Sequence, residues 1–244
     1  MDVSTRAVGT TAVAAAVAGA AILGDAPVVG VAAALALVVA VGWPSLLRLP
    51  SVLGAGVVIA LGGMGAVATV TATQGQPFLR ELPIVVALAV LLAFVNELAR
   101  QDGRLRLVES VTGTVTGVMV ATAAAGWVVA GRAPGGTSLV VSGAVALFVS
   151  ALISVFPLTG WTGASLTAAA GALGGGAAAA VMPDINVLAG VLLGLATGIL
   201  VAALHVLFDD VPAARGPLAG SAVIVLPVAV TGILVYVVGR VLVG

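Results

Sequence analysis

The chain contains no cysteine, no lysine and a single histidine. Without cysteine there is no disulfide, no thiolate metal site and no cysteine nucleophile. One histidine leaves no His-rich metal site. Charge is also scarce, with Asp, Glu, Lys and Arg together at 7% and aromatic residues at 4%. Nine basic and nine acidic residues cancel to a net charge of zero, so no basic field exists to hold nucleic acid. A soluble domain of 244 residues needs far more polar surface than this to cover a core.

Apolar side chains fill the space left. They make up 61% of the residues, and the mean hydropathy is +1.31. The apolar stretches recur from end to end, and the few charges sit in short gaps between them. Lipid selects this pattern, because each crossing must be apolar for about 20 residues. All nine cations are arginine. Together with heavy use of Ala, Gly and Val, this points to a high-GC bacterial genome.

Turn chemistry divides the chain into nine expected spans, about 7–23, 27–42, 51–72, 83–99, 107–130, 137–156, 162–182, 186–207 and 218–240. The breaks are Gly- and Pro-marked, as at Gly24-Asp25-Ala26-Pro27, Gly75-Gln76-Pro77, Ala133-Pro134-Gly135-Gly136 and Arg215-Gly216-Pro217. The expected fold is all-α, a polytopic transmembrane helix bundle forming a single domain over 1–244. The first two spans, so closely joined, have a re-entrant hairpin as their alternative. Arg6 ahead of the apolar run Ala12–Leu23 has the shape of a secretory signal. Because further spans follow at once, this run is expected to stay as a membrane helix.

Nine spans place Arg6, Arg48, Arg100, Arg104, Arg106 and Arg215 on one side and Arg80, Arg132 and Arg240 on the other. Cytoplasmic loops carry the excess of cations, so the N-terminus is expected in the cytoplasm and the C-terminus outside the cell membrane.

Two stretches look alike. Gly42-Trp43 precedes Ala60-Leu61-Gly62-Gly63, and Gly160-Trp161 precedes Ala172-Leu173-Gly174-Gly175. The corresponding late helices end in Trp127-Val128-Val129-Ala130-Gly131-Arg132 and Tyr236-Val237-Val238-Gly239-Arg240. One reading is a pair of parallel four-helix repeats, 27–132 and 137–240, after an extra first helix. The other is chance matching in a chain dominated by three small residues.

Glycine is the strongest local signal. Gly190, Gly194 and Gly198 form a smooth stripe on the eighth span, Gly113 and Gly117 on the fifth, while Gly62, Gly63, Gly174 and Gly175 thin the third and seventh. Small residues let helix backbones approach in lipid, so these are expected to be packing positions; a sliding or hinge surface is the functional alternative. The seventh span, rich in Ala and Gly, is expected inside the bundle against the third. In-span hydroxyls such as Thr112, Thr116, Ser142, Ser150, Thr197 and Thr231 are expected to bond their own backbone, with a polar path as the alternative. Pro227 should free the Val223 carbonyl and kink the last span. Trp43, Trp127, Trp161 and Tyr236 fall at span ends and read as interfacial belt residues.

No ionisable residue lies near the centre of any span, which weakens an ion-coupled carrier. The charges gather instead at the cytoplasmic end. Asn96, Glu97, Arg100, Arg104, Arg106 and Glu109 bracket one loop; His205, Asp209, Asp210 and Arg215 bracket another. Interfacial anchoring is the plain reading of both. The alternative is a binding site for a phosphate or head group, since Arg forks suit phosphate oxygens. Asp209-Asp210 has the chemistry to hold Mg²⁺, but adjacent aspartates are a weak motif, and neither a metal nor any other cofactor is expected.

This pattern of many oily, Gly-rich spans with sparse Arg loops resembles small uncharacterised multi-pass membrane proteins of high-GC Gram-positive bacteria, loosely labelled permeases. The resemblance covers the whole chain and rests on composition and topology. The phosphatidate cytidylyltransferases are similar in length and helix number, but their Lys-Asp and Pro-Gly-His-Gly-Gly signature is missing here: Val211-Pro212-Ala213 follows Asp209-Asp210. The resemblance implies a permease for a small or lipid-like solute. Two further readings stand beside it: a non-catalytic subunit packed against a partner membrane protein or a second copy, and a lipid-modifying enzyme using the Arg/Asp cluster. The enzyme is the less favoured, because no nucleotide-binding loop, HExxH helix or triad is present. Membrane lipids are the one partner implied by every reading.

Overall fold

The computed structural model describes residues 3–101, 105–156, 160–209 and 211–242. Among them there is no strand; ten α-helices and one 3₁₀ turn account for the chain. They are α1 (Val3–Leu23), α2 (Asp25–Leu46), α3 (Val52–Ala72), α4 (Leu82–Ala99), α5 (Leu107–Ala123), α6 (Ala125–Arg132), α7 (Gly136–Ile153), α8 (Gly160–Val181), α9 (Val187–Asp209) and α10 (Pro217–Leu242), with the 3₁₀ turn at Pro212–Arg215. In hydrocarbon a backbone amide finds a partner only along its own segment, so oily runs become helices regardless of their high Gly content.

Among the described residues nine segments are long and apolar enough to cross a membrane, at the places the sequence marks. The first two are complete helices rather than a re-entrant hairpin. A single residue, Gly24, separates them, and its φ of 121° is a conformation that a Cβ would resist. The fifth span is α5 and α6 together. The break at Ala124 has no proline; there i→i−3 bonds, Ala124 N–H to Ala121 O and Trp127 N–H to Ala124 O, interrupt the α-helical ladder. The last span stays a single helix through Pro227.

The helices form two sectors joined along α2 and α10. On one side α2, α3, α5 and α6 pack together, with α4 outside against α3 and α5. On the other, α7, α8 and α9 pack together. α10 touches α2 and α6 in the first sector and α7 and α9 in the second, while α1 lies against α7, α10 and α2.

The glycine positions are packing positions. α8 and α9 meet Gly-on-Gly: a Cβ on Gly194 would overlap the Gly171 carbonyl, one on Gly190 would strike Ala179 and Gly175, and one on Gly198 would strike Ala168 and Thr167. Gly175 faces Gly190 and Gly194 in return, and Gly174 receives Val149 of α7. Gly62 and Gly63 admit Val118 and Ala121 of α5, and Gly113 and Gly117 admit Leu49, Ile59 and Trp43. In lipid, this close approach supplies dispersion contact that bulkier residues would prevent.

Two sequence expectations are overturned. The seventh span, α8, lies at the edge of the bundle on α7 and α9 rather than inside it against α3. Its glycine face is buried on its neighbours, while Trp161, Leu173 and Val181 point outward. Small residues allowed one close partner rather than burial all round. Trp43 and Trp127 are also not belt residues. Both are buried, and their indole N–H groups donate to the backbone oxygens of Gly113 (2.9 Å) and Val228 (2.8 Å). A ring that finds a carbonyl inside the bundle has no need of the head-group zone. Trp161 alone of the three is exposed, at 92%.

The hydroxyls behave mainly as expected. Thr112, Thr114, Thr116, Ser154 and Thr231 each donate to the carbonyl four residues back. Ser150 departs from this, donating across to Thr167 O on α8. The hydroxyls of Ser142 and Thr197 are buried with no hydrogen-bond partner. Replacing an unpaired buried hydroxyl by a methyl removes a desolvation penalty of about 1 kcal/mol or more. Thr197→Val is therefore expected to raise the unfolding temperature in detergent; a fall would show that this hydroxyl has a partner.

Candidate functional site

Contacts between distant loops sort the charges to two ends. At one end Arg6 donates to Phe208 O (3.0 Å) and Arg106 to Arg48 O (3.0 Å). At the other, Arg132 pairs with Asp25 (2.7 Å), and Arg240 donates to Gln76 (2.6 Å). Arg6 and Arg106 of the sequence's first arginine group thus fall at the end opposite Arg132 and Arg240 of the second. The two charged loops share the first of these ends and build separate clusters there.

The first cluster ties α4 to α5. Glu97, only 2% exposed on the last turn of α4, accepts from Arg100 three residues on and from the Ser110 hydroxyl in the first turn of α5. Asn96 donates to the same carboxylate (3.4 Å) and accepts from Ser51 before α3 (3.5 Å). Arg100 also donates to Leu105 O (3.2 Å). The carboxylate is thus enclosed by its own chain's donors, an arrangement suited to pinning helices together. Arg106 and Glu109 form a second, exposed pair (2.6 Å). Arg48 and Arg106 hold left-handed backbone conformations (φ 51° and 57°) and meet through the Arg106–Arg48 hydrogen bond.

The second cluster surrounds a cavity of about 50 Å³ between α1, α7, α9 and α10. Its walls carry Arg6 and Thr10 from α1, Ser154 just past the end of α7, and His205 from α9, with Val223 and Pro227 on α10. Space of this size holds a few waters. Pro227 has no N–H, so the Val223 carbonyl beside the cavity is left without its helical donor. Thr10 donates to Ile224 O (2.9 Å), drawing α1 against α10 where Gly9 leaves room for Ile224.

Of the residues marked in the sequence, Asn96, Glu97 and Arg100 therefore gather where α4 ends, Arg106 pairs separately with Glu109 at the start of α5, and His205 joins the other cluster. Arg104 and Asp210, with the side chains of Asp209 and Arg215, lie outside the described residues. Sequence reading missed Thr10 and the meeting of Arg6, Ser154 and His205 around one cavity. The only trace was Thr10 one helical turn from Arg6, on the same face.

At the opposite end a second cavity, of about 290 Å³, is lined by Ala21, Asp25, Gly131, Arg132, Thr137 and Val140. Arg132 crosses it to pair with Asp25 and to cap α3 through the carbonyls of Val70 and Thr71, both at 2.9 Å. No protein-family model, curated protein or solved structure matches this chain, so its fold and these two cavities are what characterise it.

Proposed function

We propose that this integral membrane protein is a permease for a small solute, with its N-terminus in the cytoplasm and the Arg6–His205 cavity at the cytoplasmic end. One observation carries the reading: Arg6 and Thr10 of α1, Ser154 at the end of α7 and His205 of α9 line a common space recessed in the bundle. Polar groups are costly at membrane depth and are kept where a solute or water meets them. The size of the space favours a small solute over a lipid-like one.

Purified protein in liposomes, tested with formate, chloride, urea, glycerol and K⁺, should pass at least one faster than empty vesicles. His205→Leu should slow that flux while the variant keeps its elution profile. Flux at the empty-vesicle rate for the whole panel would overturn the reading.

A non-catalytic subunit is the second reading, supported by the outward groove between α8 and α9 at Trp161, Ala164, Ile199 and Leu207. The glycine face that such a partner could also have used is covered within the chain. The enzyme reading loses support from the first cluster, whose Glu97 and Arg100 engage each other.

A further inference from the structure

The two cavities are not independent features: both are lined by α1 and α7. At one end Ala7 and Thr10 of α1 line the cavity with Ala151 of α7 and its capping residue Ser154, and at the other Ala21 of α1 lines the cavity with Thr137 and Val140 of α7. Thr10 and Ala21 are eleven residues apart, so about 16 Å of helix separates the cavities. Between them α1 presents Ala14 and Val17, 0% and 1% exposed. In register on the same face of α7 are Ala144 and Leu147, both at 0%. The seam is closed to solvent and built mostly from small side chains.

We infer that the α1–α7 seam is the permeation path, with α1 as its moving wall and the two cavities as its vestibules. This rests on the permease reading and says where the solute goes. Three features carry it. α1 is a peripheral helix, held by polar ties near its two ends: Arg6 to Phe208 O, Thr10 to Ile224 O, and the Asp25–Arg132 pair just beyond Gly24. Its face toward α7, Ala7, Thr10, Ala14, Val17 and Ala21, has few projecting knobs, so the large side chain a shift of α1 must pass is Ile224 of α10, seated at Gly9. Finally, each vestibule contains an arginine, a cation at every accessible pH. Asp25 balances Arg132 within its own vestibule, so the arginines act on the path as N–H donors to a solute's oxygen atoms, beside the Thr10 and Thr137 hydroxyls, and the solute class is a small polar, oxygen-bearing molecule of a few heavy atoms.

The absence of native cysteine makes the test clean. Val17→Cys and Ala144→Cys place thiols in the seam, and Val118→Cys places one at an equally buried site between α5 and α3. In liposomes, a membrane-impermeant maleimide should label positions 17 and 144 roughly tenfold faster than 118, because only the seam opens to water. Labelling position 17 should also block the flux of whichever probe the unmodified protein passes. Seam thiols no more reactive than Val118→Cys, or flux unchanged by complete labelling at 17, would overturn the seam while leaving the permease reading intact. An absence of flux for every probe would instead overturn the permease reading, and the seam with it. Selective passage of K⁺ would overturn the solute class alone.

Discussion

Glu97→Ala should lower the unfolding temperature in detergent by roughly 10 °C, corresponding to the loss of about 3–5 kcal/mol that follows removal of one partner from a buried ion pair. The Glu97 and Arg100 side chains are 3% and 8% exposed, so the substitution removes the buried carboxylate that accepts from both the Arg100 guanidinium and the Ser110 hydroxyl. α4 depends on this cluster more than a central helix would. It packs chiefly on α3 and α5, and most of its apolar surface, including Ile84, Leu88, Leu91 and Leu98, faces outward. Limited proteolysis of the loop after α4 should therefore accelerate in the variant. Glu109→Ala provides the comparison. Its pair with Arg106 is solvent-exposed, where such a bridge contributes about 0–1 kcal/mol. Equal losses for the two variants would refute the view that Glu97 acts as a pin.

Gly194→Val should be more damaging than its size implies. Even a Cβ at this position would overlap the Gly171 carbonyl oxygen, and backbone cannot rotate away as a side-chain tip can. α8 and α9 would have to separate, loosening the neighbouring Gly175–Gly190 contact as well. Overpacking costs about 1–3 kcal/mol where a core can adjust, and this seam has no flexible side chain to yield, so the cost should lie at or above the top of that range. The expected readout is loss of the monodisperse peak in size-exclusion chromatography. Gly30→Ala supplies the contrast, because its Cβ meets nothing within 4 Å and the substitution favours the helix by about 0.5–1 kcal/mol. If Gly194→Val were tolerated as well as Gly30→Ala, the close α8–α9 approach would be refuted.

These two cases also separate what is readable in one dimension from what is not. The Gly190, Gly194, Gly198 stripe announces a helix that must come close to something, because small residues every fourth position lie on one face. It does not name the partner, and α8 proved to be that partner while itself remaining at the edge. Glu97 and Arg100 stand out in the sequence only as charges bracketing the loop between the fourth and fifth spans. That Ser110 closes the cluster depends on how α5 returns beside α4. Trp43 and Trp127 were misassigned for the same reason: a position near a span end is a statement about depth, and burial depends on which carbonyl a neighbouring helix offers.

The solvent argument is local. A run of about 20 apolar residues cannot leave its amides unpaired in hydrocarbon, so span number, approximate span ends and the alternation of charges between two faces follow from the amino-acid order alone. Partner choice among the spans does not. In lipid every helix face is apolar, no strong burial signal separates inside from outside, and close packing of particular small and large side chains makes the selection. The juxtaposition of Arg6 with His205, some two hundred residues apart, and the alignment of two cavities along α1 and α7 therefore exist only in the folded bundle.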